Sequence, residues 1–206
     1  MNILYSQKLK KFPIRHGFST KSYSYSDQII FPKQNHTNKV IIADYLAKRE
    51  GDAIVTTKKN LRIGIKTADC VPVLLFERQK EIVAAVHAGW LGTAKQILKE
   101  TIQRIVDMGG RAEHIFACLG PAIGPCCYHI SGERLQHFDT KFLTERNGKT
   151  FLNLKKANIT QLIDMQVPLE NIESTPWCTS CNNDLFYSYR KEKPLTGQNI
   201  SYIELN

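Results

Sequence analysis

No apolar run in this 206-residue sequence is long enough to cross a membrane. Charged residues interrupt each hydrophobic stretch before it reaches the roughly 20 residues that a membrane helix needs. The first residues, MNILYSQKLKKF, also lack the apolar segment of a signal peptide. These absences predict a soluble cytoplasmic protein without a membrane partner. In that reducing compartment the six cysteines are expected to be thiols, metal ligands or core residues rather than disulfides.

Repeats, linkers and low-complexity segments are also missing. Because 42% of the residues are hydrophobic, the chain can bury a full core, and we predict one domain over residues 1–206. Acidic residues are few, 19 against 28 Lys and Arg, which gives a net charge of +9. The lysines are scattered, and no basic stripe is interleaved with aromatic residues. The charge therefore predicts solubility through self-repulsion rather than a nucleic-acid surface.

Hydrophobic periodicity predicts alternating strands and helices. The predicted strands are Gln28–Phe31, Lys39–Ala43, Ala53–Thr56, Leu61–Lys66, Val71–Phe76, Ile82–Val86, His114–Leu119, Leu185–Tyr189 and Asn199–Glu204. Helices are predicted over Thr93–Met108, which two glycines end, and over Leu154–Gln166, with Asn153 as its cap. Residues Ile82–Leu119 would then form a βαβ crossover with a parallel pair of strands. The predicted fold class is α/β, a mixed sheet covered by helices.

Three short segments carry residues suited to chemistry. His87 ends an apolar strand in EIVAAVHAGWLG, and active sites gather at strand ends in α/β folds. A core histidine held by backbone groups explains this position equally well. Asp69 and Cys70 adjoin in KTADCVP, either as a proton carrier and a soft ligand or nucleophile, or as a turn former and a packed thiol. His36 occupies the polar loop KQNHTNKV.

Sequence spacing cannot show that His36, Cys70 and His87 meet, because no metal-binding spacing rule joins residues so far apart. If they meet, two imidazoles and one thiolate suit a tetrahedral zinc site with one position open to water, which is the catalytic pattern. The cysteines of CC at Cys126–Cys127 and of WCTSC at Trp177–Cys181 compete with this site. The CxxC is similar to a redox motif, but it comes too late for a thioredoxin-like helix start. A zinc ribbon would need a second CxxC.

These segments together resemble the bacterial laccase-domain family, also called multicopper polyphenol oxidase-like or YfiH-like and described as purine nucleoside phosphorylase with adenosine deaminase activity. The matching blocks are GFST at Gly17–Thr20, KQNH at Lys33–His36, GDAIVT at Gly51–Thr56, TADCVPVLL at Thr67–Leu75, AAVHAGW at Ala84–Trp90, LGPAIGPCCY at Leu119–Tyr128, and CTSCNNDLFYSYR at Cys178–Arg190 followed by TG at Gly197. They cover most of the chain in one order, and TADCVPVLL, VHAGW and GPAIGP are highly specific. The resemblance implies a layered α/β sandwich of mixed sheets flanked by helices, and it places the metal ligands on His36, Cys70 and His87.

The resemblance also implies a reaction. The expected cofactor is zinc, with copper as the alternative ion, and the expected substrates are purine nucleosides and phosphate, bound by a monomer or homodimer. The expected reactions are phosphorolysis of adenosine, inosine and methylthioadenosine, and deamination of adenosine. Catalysis is expected from Cys70, His87 and Asp69, with Asp69 carrying the proton while an activated water attacks C6 of adenine.

Substrate contacts, above all with phosphate, are expected from Lys21, Lys33 and Arg190, of which Arg190 matches a family block. The sequence departs from the family at Lys21, Leu91 and Gln198, where arginine is usual, and at Thr37, where glycine is usual. A lysine holds phosphate only as a point charge, and leucine and glutamine bring no charge. The departures leave the metal site intact and the use of phosphate open.

Other functions fit some of the same residues. Cys70 activated by His87 would suit a cysteine hydrolase acting on small amides or cell-wall precursors. Copper-dependent oxidation of phenols needs several copper ions joined by many histidines, and the chain has only six. A redox or binding module would work through the CxxC and would not need His36 or His87. An inert metal-binding chain is a further alternative, because metal binding and turnover are separate properties.

Overall fold

The computed structural model describes residues 2–24, 28–43 and 50–206. Its strands are β1 (Ile3–Leu4), β2 (Ile14–Ser19), β3 (Val40–Ile42), β4 (Ala53–Thr56), β5 (Ile63–Thr67), β6 (Val71–Glu77), β7 (Ile82–Ala88), β8 (Ile115–Leu119), β9 (His129–Ile130), β10 (Leu143–Arg146), β11 (Lys149–Leu152), β12 (Ile172–Ser174) and β13 (Asn199–Leu205). The α-helices are α1 (Trp90–Ala94), α2 (Ile97–Asp107) and α3 (Leu154–Asp164). Across these ranges, no helix has the length and apolar character needed to cross a membrane.

The strands form three sheets. The largest has six strands in the order β12-β8-β6-β7-β4-β3, a second has the order β1-β2-β13-β5, and a third has the order β10-β11-β9. The pairs β3–β4 and β12–β8 are parallel, whereas the neighbours of β6 and β13 are antiparallel to them. The predicted fold class, a single α/β domain with mixed sheets and flanking helices, is confirmed.

Strands β6 and β7 lie in the middle of the six-stranded sheet and are buried along their whole length. Alternation along β6 turns Val73 and Leu75 toward the apolar faces of α2 and α3. It turns Leu74 and Phe76 to the other side, where they pack against β5 and β13 of the four-stranded sheet. Unbroken apolar runs are typical of strands buried on both faces. The molecule is therefore layered as helices, six-stranded sheet and four-stranded sheet.

The predicted crossover is confirmed in direction but wrong in pairing. Strand β6 pairs antiparallel with both β7 and β8, so that Leu74 lies opposite Ala85 on one side and Cys118 on the other. Strands β7 and β8 are therefore parallel to each other, but β6 lies between them. Apolar periodicity shows which strands are buried, but it does not show whether the preceding strand inserts between them.

Two predicted strands are wrong. In Gln28–Phe31 only Ile30 forms a single bridge, to Ile63 of β5. Leu185–Tyr189 lies in turns, because the N–H groups of Leu185 and Phe186 both donate to the Asn182 carbonyl. Its apolar and aromatic residues indicate burial, and Phe186 is buried, but the asparagines before it favour a turn. Six further strands were not predicted from the sequence: β1, β2, β9, β10, β11 and β12.

The two predicted helices are present with changed bounds. Thr93–Met108 is divided into α1 and α2, because Gln96 adopts a left-handed φ of 62° between them. Helix α3 ends at Asp164, two residues before the predicted end. Its predicted cap is confirmed, since the Asn153 side chain accepts a hydrogen bond from the N–H of Lys156.

Candidate metal centre

The structure brings His36, Cys70 and His87 together. One ligand atom from each lies within 4.8 Å of the others. Antiparallel pairing of β6 with β7 sets Pro72 opposite His87. Cys70, just before β6, therefore lies at the same end of this strand pair as His87. His36 arrives from the loop before β3, two strands away across the sheet. The order of the strands in the sheet brings these three donors together, and the spacing of the residues in the sequence does not reveal that order.

Asp52 organises the centre, although its sequence context does not predict this role. Its carboxylate is fully buried and lies 2.7 Å from Nδ1 of His87. The same carboxylate accepts hydrogen bonds from the N–H groups of Asn35, His36 and Thr37 at 3.3, 3.0 and 2.6 Å. One side chain thus orients one imidazole and fixes the loop that carries the other. The block GDAIVT contains Asp52, but its aspartate resembles an ordinary turn residue.

Asp52 and His87 each stabilise the charged form of the other. Burial by itself raises the pKa of the Asp52 carboxyl, but hydrogen bonds from His87 and Thr37 outweigh burial and lower that pKa to about 2. Burial by itself lowers the pKa of His87, whereas Asp52 and Cys70 outweigh burial and raise it to about 9. Asp52 is therefore a carboxylate at neutral pH, and it holds the proton of His87 on Nδ1.

Gln34 and Asp52 together hold the His36 loop in an unusual conformation. The side-chain amide of Gln34 donates to the carbonyl of Lys66 and accepts from its N–H, both at 2.8 Å, much as a neighbouring strand would pair with β5. His36 itself has a φ of 57°, in the left-handed region that a histidine rarely adopts. Burial and the neighbouring His87 lower the pKa of His36, which keeps this imidazole neutral.

Gly89 leaves room for the three donors. A Cβ at this position would lie 2.9 Å from Sγ of Cys70, 3.2 Å from Nδ1 of His36 and 3.7 Å from Cε1 of His87. Its φ of −72° is open to any residue, so the glycine is needed for close approach rather than for backbone conformation. With Nδ1 of His87 held by Asp52, its Nε2 is the atom that can coordinate an ion. Two imidazoles and a thiol around this space fit zinc.

The three donors face a cleft of about 550 Å³. Its walls include the aromatic residues Trp90, Tyr128 and Tyr189 and the cationic residues Lys66, Arg134 and Arg190. The Arg134 guanidinium lies 4.9 Å from the Trp90 ring centre, and that of Arg190 lies 5.2 Å from the Tyr128 ring centre. Rings and cations beside a metal centre suit a flat, partly anionic ligand. Five of these residues were not predicted from the sequence, because no local pattern marks residues that converge from separate strands, helices and loops: Lys66, Trp90, Tyr128, Arg134 and Tyr189.

Asp69 lies in this cleft beside Cys70, and its backbone is left-handed with a φ of 85°. Its carboxylate accepts hydrogen bonds from the Thr179 hydroxyl at 2.6 Å and from the N–H of Arg190 at 2.7 Å. Its carbonyl accepts the N–H of Ile123 at 2.9 Å. Asp69 thus joins three loops at the cleft, and it is the only carboxylate in the cleft lining that the described residues provide.

Of the three cations expected to contact substrate, only Arg190 reaches the cleft. Lys21 forms an ion pair with Glu192 and lies over the Tyr187 ring, outside the lining. Lys33 has its ammonium 2.7 Å from a Glu50 carboxylate oxygen on the exposed surface. Each lysine thus pairs with a carboxylate and is absent from the cleft lining. Gln198 does line the cleft, whereas Leu91 does not.

Comparisons with known proteins agree with this architecture. Residues 15–206 match the family model described as multi-copper polyphenol oxidoreductase laccase. The chain is 37% identical to a purine nucleoside phosphorylase of Aquifex aeolicus over 175 residues, 84% of this chain and 81% of the relative. It is 33% identical to adenosine deaminase RL5 from an unknown prokaryotic organism over 184 residues, 80% and 70% of the two chains. The crystal structure of the hypothetical protein YfiH of Bacillus licheniformis superposes with a TM-score of 0.91 at 25% identity, covering 100% of this chain and 97% of the other.

Proposed function

This chain belongs to the multi-copper polyphenol oxidoreductase laccase family, and we propose that it is a zinc-dependent enzyme that phosphorolyses and deaminates purine nucleosides. One observation carries the proposal: the donors of His36, Cys70 and His87 lie within 4.8 Å of one another and face a cleft with aromatic and cationic walls. Relatives named purine nucleoside phosphorylase and adenosine deaminase support the same substrate class. The proposed enzyme is one domain over residues 1–206, working in a reducing compartment such as the cytoplasm, where its six cysteines stay free.

The proposed metal ligands are His36, Cys70 and His87. A zinc ion held there would supply Lewis-acid chemistry, because three protein ligands leave one coordination position for a small molecule. Copper is the alternative ion, since imidazole and thiolate also bind copper. Asp52 positions His87 through Nδ1 and fixes the backbone around His36, so the donors keep their arrangement when substrate enters.

The cleft walls fit the two parts of a purine nucleoside. Trp90, Tyr128 and Tyr189 present aromatic surface on which a purine ring can stack, since offset stacking of rings is favourable. Arg190 and Arg134 can hold phosphate through bidentate hydrogen bonds, which lysine cannot provide. The proposed substrates are adenosine, inosine and methylthioadenosine, with phosphate placed against C1′ of the ribose for phosphorolysis.

Asp69 is the proposed proton carrier for deamination at C6. It is the only carboxylate of the cleft lining within the described ranges, and it adjoins the ligand Cys70. Its two hydrogen bonds, from Thr179 and Arg190, fix the direction of the carboxylate without removing it from the cleft. A fixed carboxylate can accept a proton from a water molecule and return it to the leaving amine. Gln198 lines the cleft where the family resemblance implies an arginine, and it brings no charge, so we expect phosphorolysis to be the weaker of the two reactions.

A cysteine hydrolase is the second candidate, and one contact favours it. Cys70 hydrogen-bonds His87, and His87 hydrogen-bonds Asp52, so the three residues are arranged as a nucleophile, a base and an orienting acid. The polyphenol oxidase named by the family description is less well supported. Among the residues that the structure describes, only one cluster combines histidine with cysteine, which is too few for several joined copper ions.

The deciding experiment uses untagged protein, adenosine with and without phosphate, and metal analysis by mass spectrometry. Cys70→Ser is expected to lose about one metal ion per chain together with both reactions. The matched control is Cys118→Ala, since Cys118 is buried in β8 and is not one of the three donors. Full turnover after metal removal, abolished by Cys70→Ser, would instead establish the cysteine hydrolase. Metal binding without turnover of any purine nucleoside would contradict the proposed function.

A further inference from the structure

Four cysteines outside the cleft converge on one point. Cys126 and Cys127 lie in the loop after β8, and Cys178 and Cys181 lie in the loop after β12. Their sulfur atoms all lie within 4.8 Å of one another. The sequence contains only one CxxC, which by itself does not form a four-cysteine site. The fold provides the second pair from two adjacent cysteines, so a four-cysteine site here does not require a second CxxC.

The sulfur distances suit a shared ion better than a disulfide. Four sulfurs at about 2.3 Å from a zinc ion lie roughly 3.8 Å apart at the corners of a tetrahedron. Here Sγ of Cys181 lies 3.3 Å from that of Cys127 and 3.4 Å from that of Cys126. Cys181 is thus equally close to two partners, whereas a disulfide joins one sulfur to one other at about 2.05 Å.

The two loops are held in register by their own backbones. Ala122 and Cys178 form a parallel bridge, in which the Thr179 N–H donates to the Ala122 carbonyl at 3.1 Å. The N–H of Gly124 donates to Sγ of Cys178 at 3.2 Å, a bond that stabilises a thiolate. A Cβ at Gly124 would lie 3.1 Å from Sγ of Cys126, so the glycine permits this close approach.

Positive charge lies next to both loops. The Arg146 guanidinium donates to the carbonyls of Pro125 and Cys126 at 2.6 and 3.2 Å. The Lys155 ammonium donates to the carbonyls of Thr175 and Trp177 at 2.6 and 3.3 Å, directly before Cys178. Four thiolates and one divalent ion leave a net charge of about −2. Two fixed cations beside the cluster offset that charge.

We propose that Cys126, Cys127, Cys178 and Cys181 bind a second, structural zinc ion that joins the two loops. Four protein ligands leave no coordination position for substrate, so the site is closed and structural. Thr179 lies between two of the ligands and donates to Asp69, and Ile123 of the other loop donates to the carbonyl of Asp69. The ion therefore stabilises both loops that hold Asp69 in the cleft.

The test uses a background that lacks the cleft ligand, so that it does not depend on the proposed function. In Cys70→Ser protein purified under reducing conditions, about one zinc ion per chain is expected to remain. Cobalt substituted for it should give the visible absorption of a tetrahedral ion and strong thiolate-to-cobalt charge transfer. Adding Cys126→Ser or Cys181→Ser should abolish both signals, whereas adding Cys118→Ala should leave them unchanged.

A second measurement needs no variant of the four cysteines, in case their replacement prevents folding. In the folded Cys70→Ser chain, the four thiols should resist alkylation until a chelator removes the ion, and should then react. The proposal is overturned if the chain holds no zinc or cobalt after reconstitution under reducing conditions. It is equally overturned if mass analysis shows disulfides among these cysteines, or if the thiols alkylate at the same rate with and without chelator.

Discussion

The buried carboxylate of Asp52 lies 2.7 Å from Nδ1 of His87 and also accepts the N–H of His36 at 3.0 Å. Asp52, directly before β4, thus connects the proposed ligand His87 near the end of β7 with the proposed ligand His36 in the loop before β3. His36 contacts Asp52 through its backbone N–H, and His87 contacts it through Nδ1. The centre can therefore be altered through Asp52 without removing any metal donor.

Asp52→Asn is expected to weaken zinc binding at the cleft by about 10- to 100-fold, because outer-shell carboxylates orient the ligating imidazole. The amide cannot accept from His87 and from three backbone N–H groups as a carboxylate does. A zinc-competition titration would measure this affinity. In a Cys181→Ser background it would report on the cleft alone, because that variant lacks a ligand of the proposed four-cysteine site. Asp184→Asn is the matched control, since Asp184 is exposed. Unchanged affinity in Asp52→Asn would contradict the role assigned to Asp52.

Gly89→Ala should disrupt the cleft site while the fold survives. The added methyl would lie 2.9 Å from Sγ of Cys70, so the donors must separate, at a cost of about 1–3 kcal/mol in the free energy of unfolding. Metal analysis and urea unfolding would check both effects. Gly148→Ala provides the comparison: it has a positive φ of 67° but nothing within 4 Å, so it should lose stability and keep its metal. A Gly89→Ala protein that retains wild-type metal content would show that the close approach is unimportant.

Arg190→Ala is expected to raise the KM for phosphate by about 10- to 100-fold, the equivalent of one or two charge-assisted hydrogen bonds. Deamination should change little, because it uses no phosphate and because the N–H that holds Asp69 belongs to the backbone. Lys33→Ala is the control, since its ammonium pairs with Glu50 outside the cleft. Steady-state kinetics with varied phosphate would decide. A larger effect in Lys33→Ala than in Arg190→Ala would move the phosphate site away from the cleft.

His16 predicts a loss of stability in mild acid. It is buried on β2, where its Nε2 accepts the N–H of Ser6, and burial lowers its pKa although Glu173 lies nearby. Below about pH 6.5 the unfolded chain binds a proton that the folded chain excludes, so the free energy of unfolding falls as the pH falls. Urea unfolding at pH 7.5 and pH 5.5 should show a smaller decrease for His16→Gln, which keeps an acceptor for Ser6 without titrating. Equal decreases in the two proteins would exclude His16 as the cause.

The sequence supports the fold class because burial leaves a direct pattern. VPVLLF and IVAAV are apolar without interruption, and the structure buries the strands that contain them, β6 and β7, on both faces. The position of β6 between β7 and β8 could not be predicted from the sequence, because many strand orders bury the same residues equally well. Short strands such as β9 and β12 contain too few residues to show any period.

The candidate site, like the fold, could be predicted only in part from the sequence. The resemblance of KQNH, TADCVPVLL and VHAGW to family blocks indicates His36, Cys70 and His87, and these residues do meet. Asp52 could not be predicted, because its role depends on hydrogen bonds to residues 15 to 35 positions away along the chain. The four-cysteine cluster was missed for a similar reason, since Cys126 and Cys181 are 55 positions apart.

Cys70 and His87 flank a hairpin of two consecutive strands, β6 and β7, whereas His36 arrives from the far edge of the same sheet. A hairpin can close on local contacts within microseconds, whereas pairing across a sheet waits for distant chain segments. We therefore expect the nascent molecule to acquire a two-donor half-site early and the third donor last. Any free zinc present during folding would bind first to the thiol of Cys70 and the imidazole of His87. His36 would add the third donor once its loop has packed against the sheet.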